Sequence, residues 1–97
     1  MDLNTEFPRS PYDTVIGCVM VGRTKDKAVA SNEGTLGEYH YNCSMDRKMF
    51  EFFGVDAETF AKKVKEFETD EKFGEWLDSE FSKTKEEKIE FNNKMRH

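Results

Sequence analysis

Tyr39-His40-Tyr41-Asn42-Cys43 gathers two phenols, an imidazole, an amide and a thiol into five consecutive residues. Three chemistries suit such a run. His40 and Cys43 stand three apart, a spacing found in zinc sites, but a structural zinc needs four ligands and a catalytic one three. The further donors would have to be Cys18, Asp46 and His97, which form no recognised ligand pattern. Cys43 precedes an expected helix start, where the dipole stabilises a thiolate, so it suits a nucleophile with His40 as its base. No glycine-rich oxyanion turn accompanies it, and a thiol packed against Phe50 or Phe53 accounts for the residue without any chemistry. Tyr39 and Tyr41 offer flat faces that stack on a planar ligand or a partner, or else pin the loop by packing and hydroxyl hydrogen bonds.

Arg23, Asp26 and Lys27 form the second group. They continue the helical face begun by Tyr12, Val15, Ile16 and Val19. An inward face that turns charged needs an explanation, because burying an unpaired charge is costly. The helix emerges into solvent after Gly22, or Arg23 and Asp26 pair at i, i+3, or Arg23 and Lys27 line a cleft and bind a carboxylate or phosphate.

The elements that must position these residues are helices. Ser10-Pro11-Tyr12-Asp13 reads as a helix start, with Ser10 as cap, Pro11 at the first position and Asp13 at the positive end of the dipole. Tyr12, Val15, Ile16, Val19 and Met20 then keep helical spacing, and Gly34 stops the helix. The competing reading, a strand over Val15 to Val21, has the right propensity but poor alternation. A loop covers residues 34–43. Ser44 caps a helix through Phe53, which Gly54 ends. Asp56 caps the next, whose stripe is Ala57, Phe60, Ala61, Val64 and Phe67. Thr69 caps a fourth, carrying Phe73, Trp76, Leu77 and Phe81, and a Thr84/Glu87 capping box opens a fifth with Ile89, Phe91 and Met95. The expected fold is all-α: a single domain, residues 1–97, of about five short helices.

Composition narrows the function classes. Of the 97 residues, 36% are hydrophobic and 36% charged, yet nine Phe, three Tyr and one Trp supply enough apolar area for a core. The net charge is −5, and residues 1–43 and 44–97 each carry more acidic than basic side chains, which argues against nucleic acid and anionic membranes. The longest near-apolar run, Val15 to Gly22, falls far short of a bilayer span. Met1-Asp2-Leu3-Asn4 does not read as a signal peptide, so a cytoplasmic location with Cys18 and Cys43 as reduced thiols is expected.

Several segments share a pattern with a known family. They are Asp2-Leu3, Phe7-Pro8-Arg9-Ser10-Pro11, Gly22-Arg23 with Asp26-Lys27-Ala28, Leu36-Gly37-Glu38-Tyr39-His40-Tyr41-Asn42-Cys43, Asp46, and Phe50-Glu51-Phe52-Phe53-Gly54-Val55-Asp56-Ala57. Through them the chain resembles a family of small bacterial proteins known only as a domain of unknown function, over roughly residues 2–78. The resemblance implies a cytoplasmic helical fold and carries no activity or catalytic residue. The chain departs from the family's habit at Thr24-Lys25, where aliphatic residues are usual, and at Ser44, where Pro is frequent.

The functional expectation is a non-catalytic binding module. Its site would be Arg23, Asp26, Lys27, Tyr39, His40, Tyr41 and Cys43, taking a small anionic ligand or a protein partner, with no metal and no cofactor. The alternative is a thiol-dependent enzyme or redox protein using Cys43 with His40. A homo-oligomer joined through the weakly patterned last helix is a further expectation.

Overall fold

The computed structural model describes residues 1–96. His97, one of the candidate metal donors, lies outside the described residues. Five helices are present in this range: α1 (Val21–Glu33), α2 (Ser44–Phe53), α3 (Ala57–Glu66), α4 (Asp70–Glu80) and α5 (Lys85–Met95). Among the described residues there is no strand, only an isolated antiparallel bridge between Val15 and Cys18. The fold is all-α.

Local chemistry sets most of the boundaries. The Asp56 carboxylate accepts from the Thr59 N–H at 2.7 Å, and the Thr69 hydroxyl accepts from the Lys72 N–H at 3.2 Å. Thr84 and Glu87 satisfy each other's backbone N–H groups, at 3.1 and 2.9 Å. Gly34 and Gly54 take the left-handed conformation that ends α1 and α2. The cap of α2 is Cys43 rather than Ser44, one residue earlier than expected.

The largest departure concerns residues 11–20, which are not helical; α1 starts only at Val21. Val15 and Cys18 exchange both backbone hydrogen bonds, at 3.1 and 3.0 Å. Between them Ile16 and Gly17 both have positive φ, as a tight two-residue hairpin turn demands. Met20 is also left-handed and breaks the chain just before the helix. The apolar spacing that mimics a helix belongs to a turn and an extended stretch. Val15, Cys18, Val19 and Met20 are all buried there, and Tyr12 is exposed. β-branched residues around Gly17 have weak helix propensity, and a distant side chain decides the outcome. The Asn92 amide of α5 accepts from the Val19 N–H at 3.0 Å and donates to the Gly17 carbonyl at 2.9 Å.

The core is aromatic and built around α1. Phe60, Phe73, Leu77 and Met49 are fully buried, and Phe50–Phe60 and Phe60–Phe73 ring pairs at 5.2 and 5.0 Å link α2, α3 and α4. α1 packs most closely on α3. Its other sides are covered by the N-terminal segment and by the loop ahead of α2, so it is buried nearly all round.

Candidate functional site

Burial of α1 changes what its charges can do. Thr24, Lys25, Asp26 and Lys27 are all buried, so the helix does not emerge into solvent after Gly22. No Arg23–Asp26 pair forms either. Each buried charge instead meets a partner from a different part of the chain.

Lys27 and Asp46 make the innermost pair. The ammonium lies 2.7 Å from Asp46 Oδ2, with the two side chains 4% and 0% exposed. The other ammonium donors go to the His40 carbonyl at 3.0 Å and to Cys43 Sγ at 3.4 Å. Asp46 is equally well used. Its Oδ1 accepts from the Thr24 hydroxyl at 2.8 Å and its Oδ2 from the Cys43 N–H at 3.2 Å. Three donors and a carboxylate are thus engaged without a gap, which is the condition under which a buried ion pair is tolerated. The pair ties the loop of residues 34–43 to α1 through main-chain atoms.

A second network joins the N-terminal segment to α1 and α4. The Arg9 guanidinium holds Asp26 through Nε and Nη2, both at 3.1 Å, and Asp70 through Nη1 at 2.6 Å. The Arg9 N–H adds a bond to Asp26 Oδ2 at 2.8 Å. Lys25 donates to Asp70 at 2.8 Å and to the Glu68 carbonyl at 3.0 Å. Arg9 reaches this position by lying across Gly22, where a Cβ would stand 3.2 Å from its guanidinium carbon. Hydrogen bonding from Arg9, opposed by partial burial and aided by Lys25, pulls the Asp70 carboxyl down to about 2. Among the described residues every buried side-chain nitrogen and oxygen has a hydrogen-bond partner.

The seven candidate residues therefore separate. Asp26 and Lys27 are committed to these networks. Tyr41 is pinned, its hydroxyl donating to the Ala57 carbonyl at 2.6 Å and its ring edge-on to Phe50 at 5.9 Å, and burial pushes its phenol up. Cys43 is half-buried as cap of α2 and hydrogen-bonded by Lys27. His40 is exposed, and its tie to the network is its carbonyl; no hydrogen bond joins its ring to Cys43 among the described residues. Both cysteines are free, and burial, offset in part by Lys88, pushes the Cys18 thiol up to about 11. No cluster of three or more His, Cys, Asp or Glu that could hold a metal is found among the described residues.

Arg23 and Tyr39 remain. Arg23 is half-buried, gives one hydrogen bond, from Nη1 to the Arg9 carbonyl at 3.2 Å, and has no carboxylate partner among the described residues. Its guanidinium carbon stands 5.7 Å from the centre of the Tyr39 ring. Tyr39 also lines an open groove of about 600 Å³ with Leu3, Asn4, Phe7 and Glu38.

The sequence reading gave no site role to Arg9, Thr24, Lys25 or Asp70, and considered Asp46 for a role only as a spare metal donor. Nothing local marks the pairings themselves, since Lys25 and Asp70 are 45 residues apart. The departure at Thr24-Lys25 from aliphatic residues was the available signal, because two polar side chains on an inward face require partners.

Compared with known families, residues 5–97 match the model of the Domain of unknown function (DUF5069). The chain belongs to this family. A search of the curated proteins finds no match. In this DUF5069 chain the Tyr39–Cys43 run splits its roles: Tyr41, Cys43 and the His40 carbonyl hold the loop to the core, while the Tyr39 ring and the His40 ring stand outside that network. DUF5069 is described as a domain of unknown function, so membership assigns no activity.

Proposed function

We propose that the protein is a non-catalytic binding module that receives a small carboxylate-bearing ligand at Arg23. The observation carrying this reading is that Arg9, Lys25 and Lys27 all have carboxylate partners and Arg23 has none. Its Nε and Nη2 are not engaged by the described residues, so the fork keeps donors for a bidentate contact. Stacking on Tyr39 holds the guanidinium in place before a ligand arrives, which reduces the entropy lost on binding. The module would operate in the cytoplasm, where its free thiols stay reduced.

The thiol alternative has less to support it. Cys43 has a cation and a helix start beside it, but among the described residues no histidine or carboxylate side chain is hydrogen-bonded to its sulfur, and Lys27 is already balanced by Asp46.

The test is an NMR titration of the ¹⁵N-labelled protein with 3-phenylpropanoate. Shifts of the Arg23 Nε–H and the Tyr39 amide that saturate support the reading. Shifts confined to other regions, or none, overturn it.

A further inference from the structure

We propose that the groove beside Arg23 is a subsite for an ammonium group, so that the ligand of this module is a small amphoteric molecule of the amino-acid type. The ammonium subsite stands on the groove alone; the amphoteric character rests on the Arg23 reading above.

The groove is lined by acceptors and aromatic residues and by no cation. Glu38 is exposed and has no cationic partner among the described residues. Asn4 turns its amide nitrogen to Asp2 Oδ1 at 3.1 Å, and its carbonyl oxygen receives no hydrogen bond among the described residues. Phe7 and Tyr39 add two aromatic rings, whose faces carry the negative end of the ring quadrupole and attract ammonium groups. Phe7 is 83% exposed, an unusual state for a phenylalanine that no packing within the chain explains. A carboxylate, two rings and a free carbonyl oxygen are the components of a cation box.

Charge complementarity then fixes the occupant. The Arg23 guanidinium lies over the ring of Tyr39, and Glu38 is the residue next to Tyr39 in the chain. Among the described residues neither of these opposite charges has an ion-pair partner, and Tyr39 touches both the Arg23 guanidinium and the groove that Glu38 lines. A ligand answering both needs a carboxylate and an ammonium a few bonds apart, with an apolar body to cover Leu3 and Phe7. The chain's net charge of −5 favours approach of the cationic end.

The experiment compares three probes of one shape: phenylalanine, 3-phenylpropanoate and phenethylammonium. Each is titrated into the ¹⁵N-labelled wild type, Glu38→Gln and Arg23→Gln, reading the amides of Glu38 and Tyr39. Phenylalanine is expected to bind about tenfold more tightly than 3-phenylpropanoate, the factor of one charged contact, and Glu38→Gln to remove that advantage. Equal affinity for the two in the wild type overturns the ammonium subsite and leaves the Arg23 reading standing. Binding of phenethylammonium that Glu38→Gln abolishes, with no response to 3-phenylpropanoate, upholds the subsite and overturns the Arg23 reading. Failure of all three probes to shift these amides overturns both.

Discussion

Nζ of Lys27 lies 2.7 Å from Oδ2 of Asp46, and almost nothing of either side chain reaches solvent. The pair joins the middle of α1 to the first turn of α2 and holds the intervening loop by the His40 carbonyl and the Cys43 N–H. Removing one partner leaves the other charge buried without compensation. Lys27→Met and Asp46→Asn are each expected to cost about 3–5 kcal/mol. The double variant Lys27→Met, Asp46→Asn should cost clearly less than the two single effects added together. Urea denaturation of the four proteins checks this cycle.

Thr24→Val tests the same network more gently. Valine keeps the shape, but Asp46 Oδ1 loses its hydroxyl donor. The expected loss is about 1–3 kcal/mol, measured by the urea midpoint at unchanged slope.

These networks were not readable in the sequence, whereas most helix boundaries were. Asp56, Thr69 and the Thr84/Glu87 box act on backbone groups three residues away, so their signals are local. Residues 11–20 misled because Tyr12, Val15, Ile16 and Val19 have helical spacing while their conformation is fixed by Asn92, 73 residues from Val19. Spacing records which residues are apolar and not which hydrogen bonds win. The charged stripe of α1 had the same character. Asp26 and Lys27 were recognisable as anomalous, but Arg9 and Asp46, which neutralise them, come from other segments.

The turn at residues 15–18 should be sensitive to two distant side chains. In Asn92→Ala the Val19 N–H and the Gly17 carbonyl both lose their partner. The expected cost is about 1–3 kcal/mol, accompanied by faster alkylation of the buried Cys18. A Cβ added at Gly74 of α4 would stand 2.5 Å from Ile16 Cγ2. Ile16 is β-branched and held in a positive-φ turn, so it yields poorly. Gly74→Ala should therefore destabilise by about 1–3 kcal/mol despite alanine's better helix propensity, as thermal melting would show.

The Arg9–Asp70 contact gives a pH dependence of definite sign. The Asp70 carboxyl is held at about 2 in the folded protein, below its ordinary value of about 3.9 in an unfolded chain. Its contribution is complete above about pH 4 and is lost as pH falls towards 2. Because the side chain is 47% exposed, solvent screening limits the contribution to about 1 kcal/mol or less. Asp70→Asn should lower stability at pH 7 and narrow the gap to wild type between pH 4 and pH 2, as urea midpoints across that range would report.

On the proposed reading α1 divides its cations: Lys25 and Lys27 hold the fold, and Arg23 is kept for a ligand. Arg23→Gln removes a half-buried side chain with a single hydrogen bond, so its melting temperature should stay within about 3 °C of wild type, an effect below ~1 kcal/mol. The most direct measurement is the affinity of this variant for 3-phenylpropanoate against that of the wild type. At least about a tenfold loss with the fold intact is expected. Unchanged affinity, or a collapse in stability like that of Lys27→Met, would contradict it.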